Sequence, residues 1–510
     1  MDLSEFDTVL SRGPFGDSKY LHQQMHAAFK RRIENISTSV AAGHRLLTTL
    51  QQVDRQTEYR VLGDPLVRRA VQQLVVQQVA GGTPQLPPQL CAQLLDATAH
   101  RIEAGLPTGP LQGDIDDPQW LGDPLHTPWI WAPGQRDDTF SQAFSQLVEW
   151  QFQGGLPAAA DADHTALREG ARLLGEVLPL TSRSALSHTH LIGVTSGTGG
   201  WKGRASTSQF TVTGVIFLNR RLLTNPWWVA EHLLHEALHQ KLYDFRHAHS
   251  LLVRDLEEGQ ERTAGEAPRV VSLWNVPGPD ASNRWHTHRA MAAFHVYVHL
   301  ALFSSLAEHL SSQLRDTYGP LDAPRAMTSS RTAFDRARYL GENLREACWG
   351  ELGAAGRYML EWLSSILDAM DPSPAPAGAS LHLLMDRYLK EARRLRKVAP
   401  SDDLASTLQR LAAAEAEAFR TVLCAADVQT QLGEADAVLT PGPERHHIRA
   451  FTQQRQYIAD SLLGLALNGY SLDGLCRTTG ASADKMIRDM VEASSHELAK
   501  VVAPAHVSTT

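Results

Sequence analysis

The sequence predicts a helix-rich α+β fold, and three features of the 510-residue chain lead to this prediction. Apolar residues such as Leu21 and Met25 recur at helical spacing over much of the chain. Residues 210–218 (FTVTGVIFL) form a β-branched and aromatic run that is typical of a strand. Shortly after it, Asn225-Pro226 marks the start of a long helix, predicted over about 226–246.

Composition and charge argue against several classes of protein. Hydrophobic residues make up 43% and charged residues 20% of the chain, the proportions of a soluble globular protein. The formal net charge of −8 argues against a general nucleic-acid binder, because such proteins usually carry a basic excess. No apolar run approaches the roughly 20 residues of a membrane span, and the acidic N-terminus lacks the apolar core of a signal peptide. We therefore expect a cytoplasmic protein without nucleic-acid or membrane partners.

The four cysteines are scattered and form no CxxC pair; they are Cys91, Cys348, Cys424 and Cys476. A cysteine-ligated zinc site or an iron–sulfur cluster needs closely spaced thiols, so neither is expected. Reduced, buried cysteines are typical of cytoplasmic proteins, which agrees with the expected location.

Residues 1–184 are predicted to form a mostly helical N-terminal region. Its longest stretch of helical spacing ends at the helix-breaking pair Gly81-Gly82. Residues 106–137 are rich in proline, glycine and aspartate, which predicts an ordered loop or lid that its tryptophans pin onto the protein body. Helical spacing covers residues 17–80, 139–152 and 162–178, and the tryptophans are Trp120, Trp129 and Trp131.

The rest of the chain is predicted to form a mixed domain followed by a second helical region. The mixed domain, residues 185–370, should contain a short strand near 270–274 and another long helix over about 283–312. A linker rich in proline and alanine follows at 371–380. Residues 381–510 are again predicted to be mostly helical.

The motif His235-Glu236-Ala237-Leu238-His239, an HExxH sequence, lies inside the first long helix. A helix turns ~100° per residue, so its two histidines lie on one face and can bind one metal ion, while the glutamate can reach the open side of that metal. Nine of the 23 histidines fall within residues 232–299, which favours a metal site over histidines that merely pack or face solvent. Residues 185–370 are therefore predicted to be an HExxH metal-binding catalytic domain.

A third protein ligand is needed, and the motif itself does not supply it. Leu242 and Phe245 stand where the metzincin pattern HExxHxxGxxH requires a glycine and a ligand. A zinc aminopeptidase-like pattern would use Glu258, which lies 19 positions after His239 and is followed by Gly259. The polar segment around Glu258, however, has little apolar surface with which to dock a helix.

The second long helix supplies the other candidates for the third ligand. His288, His295 and His299 share one face by their helical spacing, and most of the neighbouring residues are apolar. A single histidine in such a helix is usually a satisfied core residue, whereas three on one face after a nearby HExxH helix favour a site. His295 is the expected ligand, and His299 is the next candidate.

Two segments of the chain together match a known pattern. They are residues 226–242 (PWWVAEHLLHEALHQKL), preceded by 214–218 (GVIFL), and residues 289–300 (RAMAAFHVYVHL). In these segments the chain resembles the HExxH peptide-modification proteins found beside gene clusters for ribosomally made, post-translationally modified peptides. The combination is more specific than HExxH alone, and the resemblance covers residues 190–365, about a third of the chain.

The resemblance implies a zincin-like core, a small sheet plus the HExxH helix, that binds iron(II) and 2-oxoglutarate. Such a protein hydroxylates a side-chain (β) carbon of a precursor peptide with O2. The implied metal ligands are His235, His239 and His295, and imidazole ligands suit zinc as well as iron(II). The helical regions on both sides are expected to bind the leader part of the peptide.

If iron(II) is bound, the mechanism gives candidate roles to three further residues. Glu236 would orient a ligand or a water molecule beside the metal. Lys241 or Arg289 would bind the far carboxylate of 2-oxoglutarate, because an unpaired buried charge is costly.

Two other functions remain open at this stage. With zinc bound, Glu236 would be the general base of a peptidase, and Glu258 would be the third ligand. Alternatively, the protein has lost catalysis and its helical flanks form a peptide-binding scaffold, although the intact histidines speak against this. In both enzymatic functions, the strand at 210–218 is expected to be an edge strand that pairs with the peptide backbone.

Overall fold

The structure is a computed structural model, and the chain divides in it into two compact units. Unit 1 contains Met1–Ala267, Met291–Ala337 and Cys348–Met370, and unit 2 contains Pro268–Ala290, Arg338–Ala347 and Asp371–Thr510. The residues that the structure describes are 2–80, 85–111, 128–131, 139–254, 269–275, 283–321, 327–425, 447–468 and 482–502.

Helices dominate both units, as the sequence predicts, and 17 of them lie within the described residues. The first ten are α1 (Leu3–Arg12), α2 (Ser18–Ser37), α3 (Ala41–Leu50), α4 (Arg55–Gly63), α5 (Pro65–Ala80), α6 (Pro88–Glu103), α7 (Thr139–Phe152), α8 (Asp161–Val177), α9 (Pro179–Leu186) and α10 (Pro226–Ala248). The others are α11 (Thr287–Tyr318), α12 (Ser330–Ala347), α13 (Ala354–Met370), α14 (Ala379–Leu395), α15 (Asp402–Ala425), α16 (His447–Leu467) and α17 (Ala483–Val502).

A small mixed sheet of four strands belongs to unit 1. Its strands are β1 (Trp129–Ile130), β2 (Leu191–Thr195), β3 (Ser206–Thr207) and β4 (Val215–Asn219). The strand order is β1-β2-β4-β3; β1, β2 and β4 run parallel, and β3 is antiparallel to β4 at one end of the sheet. All of β2 and nearly all of β4 are buried, which explains why both read as continuous apolar runs.

The strand predicted at 210–218 is shorter than expected, and its predicted position at the edge of the sheet is wrong. Phe210–Val212 forms a 3-10 turn, and the strand β4 begins only at Val215. Between them Gly214 has a φ of 88°, a backbone conformation that glycine adopts without strain. Among the described strands, β4 lies between β2 and β3, so it is an inner strand and the two edges of the sheet are β1 and β3. A β-branched run predicts a strand but not its neighbours.

Part of the loop predicted at 106–137 contributes to the sheet. Trp129 and Ile130 form β1, which pairs with Leu191 and Ile192 of β2. Trp129 and Trp131 are buried in the hydrophobic core of unit 1, so they do pin this segment onto the protein body. Trp120 lies outside the described residues.

The predicted helical stretches are confirmed with revised ends. Residues 17–80 form four helices, α2 to α5, and the last ends at Ala80; the predicted breaker Gly81-Gly82 lies outside the described residues. The strand expected near 270–274 is β5 (Arg269–Val271), which pairs antiparallel with β6 (Arg284–His286) in unit 2. The second long helix, α11, begins at Thr287 because β6 occupies the residues before it.

Helix α11 is apolar enough to resemble a membrane span. It is the one helix among the described residues that is long and apolar enough to cross a membrane. Of its most apolar 18-residue window, 89% is buried inside the protein. Burial of this kind is typical of a core helix, and it agrees with the burial of His288, His295 and His299 on this helix.

The HExxH helix α10 starts where the sequence predicts. The side chain of Asn225 caps it and accepts hydrogen bonds from the backbone N–H groups of Trp227 (2.9 Å) and Trp228 (3.4 Å). The indole of Trp227 is fully buried and donates to the carbonyl of Gly319 at 3.1 Å. The start of the helix is therefore fixed both locally and by tertiary packing.

Gln240 ties the same helix to the sheet. Its side-chain carbonyl accepts from the backbone N–H of Gly214 at 2.6 Å, and its amide donates to the carbonyl of Val215 at 2.8 Å. Gln240 is 1% exposed, so water cannot replace either bond. The residue that follows the HExxH motif thus sets the position of the helix relative to β4.

We expect Gln240→Leu to destabilise the protein by about 2 kcal/mol, because a buried N–H and a buried carbonyl lose their partners. Urea unfolding followed by circular dichroism measures this loss. Gln23→Leu, at an exposed position of α2, is the matched control and should change the free energy of unfolding by less than about 0.5 kcal/mol. Equal stabilities of the two variants would show that the Gln240 bonds do not hold the helix to the sheet.

Candidate metal centre

His235 and His239 lie side by side on α10, as their spacing predicts. Their ring centroids are 5.0 Å apart, and the ring planes are inclined by 70°. Both side chains are partly exposed, so a ligand can reach them. One turn earlier, His232 stacks on Trp228 with ring centroids 3.9 Å apart, and its Nδ1 is 3.0 Å from the Trp228 carbonyl. The indole and the carbonyl therefore orient His232, and His235 and His239 form the neighbouring pair on the next turn of the helix.

Glu236, between the two histidines in sequence, is buried. Its side chain is 3% exposed, and its Oε2 atom has no hydrogen-bond partner among the described residues. A buried carboxylate oxygen without a donor is costly unless it binds a proton, a water molecule or a cation. Oε2 of Glu236 is therefore a buried acceptor that a proton, a water molecule or a cation could bind.

His295 lies on α11 and is 2% exposed, with an Nδ1 atom that has no hydrogen-bond partner within the described part of the chain. Burial lowers its pKa well below the ordinary value, and the neighbouring His299, Lys241 and His239 lower it further. The ring is therefore neutral at physiological pH, the form of imidazole that binds metals.

His299, the second candidate on α11, differs in its hydrogen bonding. Its Nδ1 donates to the carbonyl of His295 at 2.7 Å, one turn back along the helix, and burial lowers its pKa to about 3. The two rings are 4.6 Å apart between centroids. Of the two, His295 is the one with a buried ring nitrogen left to bind a ligand.

The three predicted ligands are not gathered at metal-binding distance. Among the described residues, one group of three ligating side chains has its donor atoms within 4.8 Å of one another, and it consists of His22, His188 and Asp244. His235 and His239 pair with each other, and His239 is near enough to His295 to influence its pKa. Glu258, the alternative third ligand, lies outside the described residues.

Lys241 is buried on a different face of α10 from the histidine pair. Two positions after His239, it is rotated by ~200° around the helix. Its ammonium is 1% exposed and donates to the carbonyl of Gly16 at 2.7 Å and to Oγ of Ser184 at 2.8 Å. Burial lowers its pKa from 10.5 to about 7. The two acceptors hold the amine on this face of the helix.

Arg289, the other predicted cosubstrate ligand, belongs to unit 2. Its guanidinium lies over the indole ring of Trp285, 4.8 Å from the ring centroid. His288, beside it, is also in unit 2 and is 3% exposed. Trp285 is 5% exposed, so the ring that supports Arg289 is a buried one.

Sequence reasoning missed the group of His22, His188 and Asp244, which has metal-binding spacing in the part of the chain that the structure describes. Asp244 lies on α10 with 0% exposure, and its Oδ2 is 2.7 Å from Nδ1 of His188. Its Oδ1 accepts from the guanidinium of Arg68 at 2.8 Å. Burial would raise the pKa of Asp244, but Arg68 and His188 outweigh it and hold the pKa well below its usual range. The i, i+4 spacing of His22 and His26 was a signal in the sequence for a histidine site on this helix. It could not show the other members of the group, because His188 and Asp244 lie more than 160 positions after His22.

The fold and the site thus define a helix-rich α+β protein whose HExxH helix carries a pair of histidines and a buried glutamate. No known protein-family model matches the chain, and a search of curated proteins finds no match. The chemistry of the site is therefore argued from its residues and from the resemblance of its motifs.

The depressed pKa of Lys241 predicts a rise in stability with pH. The unfolded chain holds this proton up to about pH 10.5 and the folded chain only to about pH 7. Between these values the unfolded state binds more protons, so wild-type stability should rise by up to ~1.4 kcal/mol per pH unit relative to Lys241→Met. Urea unfolding at several pH values from 7 to 9.5 measures the difference. Lys19→Met, at an exposed position, should run parallel to wild type. A parallel curve for Lys241→Met would mean that Lys241 is charged in the folded protein.

Proposed function

We propose that the protein is an iron(II)- and 2-oxoglutarate-dependent oxygenase that hydroxylates a side-chain (β) carbon of a ribosomally made precursor peptide. The observation that carries the proposal is the contact of the His235 and His239 rings on one helix that also carries the buried Glu236, whose Oε2 has no hydrogen-bond partner among the described residues. The resemblance of residues 226–242 and 289–300 to HExxH peptide-modification proteins supports the choice of reaction.

In this proposal His235, His239 and His295 hold the metal. The chemistry of His295 suits a metal ligand, because burial lowers its pKa and its Nδ1 has no hydrogen-bond partner among the described residues. The three histidines are not gathered at metal-binding distance, so a bound ion would have to draw His295 toward His235 and His239. Nitrogen donors with open positions suit iron(II) and zinc. Bound iron(II) would supply the chemistry that couples oxidative decarboxylation of 2-oxoglutarate by O2 to hydroxylation of the peptide.

We further propose that the catalytic core is zincin-like. In support, β4 leads through a short 3-10 turn into α10, and Gln240 bonds that helix back to the start of β4. The edge strand β3 is antiparallel to β4, and in zincin-like folds an edge strand pairs with an extended substrate. We expect the peptide backbone to add to the sheet along Ser206–Thr207.

The side chains around the metal have separate roles in this proposal. Glu236 orients a ligand or a water molecule through its unpartnered oxygen. The far carboxylate of 2-oxoglutarate needs a cation, for which the sequence offers Lys241 and Arg289. Lys241 would have to exchange its hydrogen bonds to Gly16 and Ser184 to serve there.

Glu236 also favours a second candidate function, a zinc peptidase. A buried carboxylate beside a metal is the usual general base of an HExxH peptidase. In that case Glu258 would be the third ligand, and the same edge strand would bind the peptide. The two functions share the site but differ in cosubstrate and in the task of Glu236.

We expect anaerobically purified protein to form succinate from 2-oxoglutarate when it is given iron(II) and air. His295→Ala should reduce succinate formation by at least about 100-fold, because it removes a metal ligand. His309→Ala, at an exposed position of the same helix, is the matched control and should retain wild-type activity. Iron-dependent succinate that survives His295→Ala would refute His295 as the ligand, and its absence from the wild type would refute the oxygenase.

Glu236→Gln distinguishes the two functions, since glutamine preserves shape but cannot accept a proton as a base. For the oxygenase we expect iron binding to persist and succinate formation to fall by no more than about 10-fold, the effect of a supporting group. For the peptidase, zinc-dependent cleavage of a peptide panel should fall by 100-fold or more, roughly the range of a lost general base. Cleavage that needs both Glu236 and Glu258, without succinate from the wild type, would establish the peptidase instead.

A further inference from the structure

We propose a second metal site in unit 1, formed by His22, His188 and Asp244, for a divalent transition-metal ion such as zinc or cobalt. The donor atoms of these three side chains lie within 4.8 Å of one another. Two imidazoles and one carboxylate are a ligand set that first-row transition metals favour. The site is independent of the proposed function, because it shares no ligand with the HExxH motif.

The pair His188 and Asp244 has the spacing of two ligands on one ion. Nδ1 of His188 and Oδ2 of Asp244 are 2.7 Å apart, and both side chains have 0% exposure. Two ligand atoms about 2.1 Å from a metal and 90° apart around it are themselves separated by roughly 3 Å. A metal ion can therefore replace the proton between these atoms with only a small adjustment.

The other ring nitrogen of His188 has the partner that a metal ligand needs. Its Nε2 lies 3.0 Å from Oγ of Ser18, and that oxygen lies 2.9 Å from the carbonyl of Ser184. With the proton on Nε2, the histidine donates to Ser18, and Ser18 donates to the carbonyl. This chain leaves Nδ1 free to ligate, and metal-bound histidines almost always donate their other N–H to a protein acceptor in this way.

His22 supplies the third donor. Its ring is 4.2 Å from that of His188 between centroids, and its Nε2 is buried without a hydrogen-bond partner in the described part of the structure. A buried imidazole nitrogen without a partner is costly in a helix that is otherwise well packed, and a metal ion would remove that cost.

Arg68 shapes the affinity of the site. Its guanidinium binds Oδ1 of Asp244 at 2.8 Å, which leaves Oδ2 for the ion. The positive charge of Arg68 would repel a bound divalent cation. We therefore expect weaker metal binding than the same three ligands would give without an arginine.

The ion would connect the HExxH helix to two other parts of unit 1. Asp244 is five positions after His239, which places it ~140° around α10 and about 7.5 Å along its axis from that residue. His22 lies on α2, and His188 lies in the segment just after α9. The site thus has a structural role, since it joins the far side of the catalytic helix to these two elements.

Metal stoichiometry in full-length variants tests the proposal. Chelator-treated protein is titrated with cobalt(II), and bound metal is measured by elemental analysis and by the visible absorption of the bound ion. We expect one equivalent in His235→Ala/His239→Ala protein, and loss of that equivalent, with at least a 10-fold lower affinity, when His22→Ala is added. His26→Ala, one turn along the same helix, is the matched control and should leave the equivalent in place.

Thermal unfolding supplies a second measurement. Cobalt should raise the midpoint of the HExxH double variant but not that of the same protein with His22→Ala or His22→Gln, because only a folded site binds the ion. The proposal would be overturned if the double variant bound no cobalt, or if His22→Ala did not change the binding. The three side chains would then form only a hydrogen-bonded ion pair. These two outcomes do not test metal binding at His235 and His239. That binding is measured separately in His22→Ala protein, in which the HExxH motif is intact.

Discussion

The position of the HExxH helix depends on the contacts of the Asp244 carboxylate. It is fully buried and is held by Arg68 on one oxygen and by His188 on the other. Arg68, on α5, is itself 1% exposed and also donates to the carbonyl of Leu62 in α4 at 2.6 Å. A buried ion pair contributes little net stability, but loss of one partner leaves an uncompensated charge and costs roughly 3–5 kcal/mol. The N-terminal helices and α10 therefore hold one another in a single arrangement.

As a consequence, the faces of α10 make different contacts. One face presents His235 and His239, another bonds to the sheet through Gln240, and a third carries Lys241 toward Gly16 and Ser184. Because a helix is rigid, contacts on the buried faces fix the direction of the histidine pair. Two histidines on such a rigid support need little reorganisation to bind a common ligand, and this is the condition for a precise binding site.

The features that the sequence predicted correctly depend mostly on residues that are close together in the chain. The cap at Asn225 and the i, i+4 spacing of the motif depend on neighbouring residues, and both agree with the structure. The order of the strands depends on contacts between distant segments, so the strand at 215–219 was placed at the wrong position in the sheet. The same reason hides the group around Asp244, whose partners His22 and His188 are separated by 166 positions.

The partners of Lys241 were hidden for a related reason. Its spacing after His239 shows that it lies on another face, but the sequence does not show what covers that face. The structure supplies Gly16 and Ser184, which the chain brings from more than 50 positions away. A basic residue close in sequence to a metal motif is therefore weak evidence for a cosubstrate ligand until its own hydrogen bonds are known.

Charge balance bears on the choice between the two proposed chemistries. The proposed ligands His235, His239 and His295 are neutral donors, so a bound dication would keep its full charge in a partly buried setting, with Glu236 as the nearby anion. Burial of net charge is costly, and a cosubstrate with two carboxylates offsets it, whereas a neutral peptide bond does not. In the peptidase alternative, the anionic Glu258 would be the third ligand and would itself offset part of the charge of the dication. The two proposals therefore differ in the group that neutralises the metal, which is a cosubstrate in the oxygenase and a protein ligand in the peptidase.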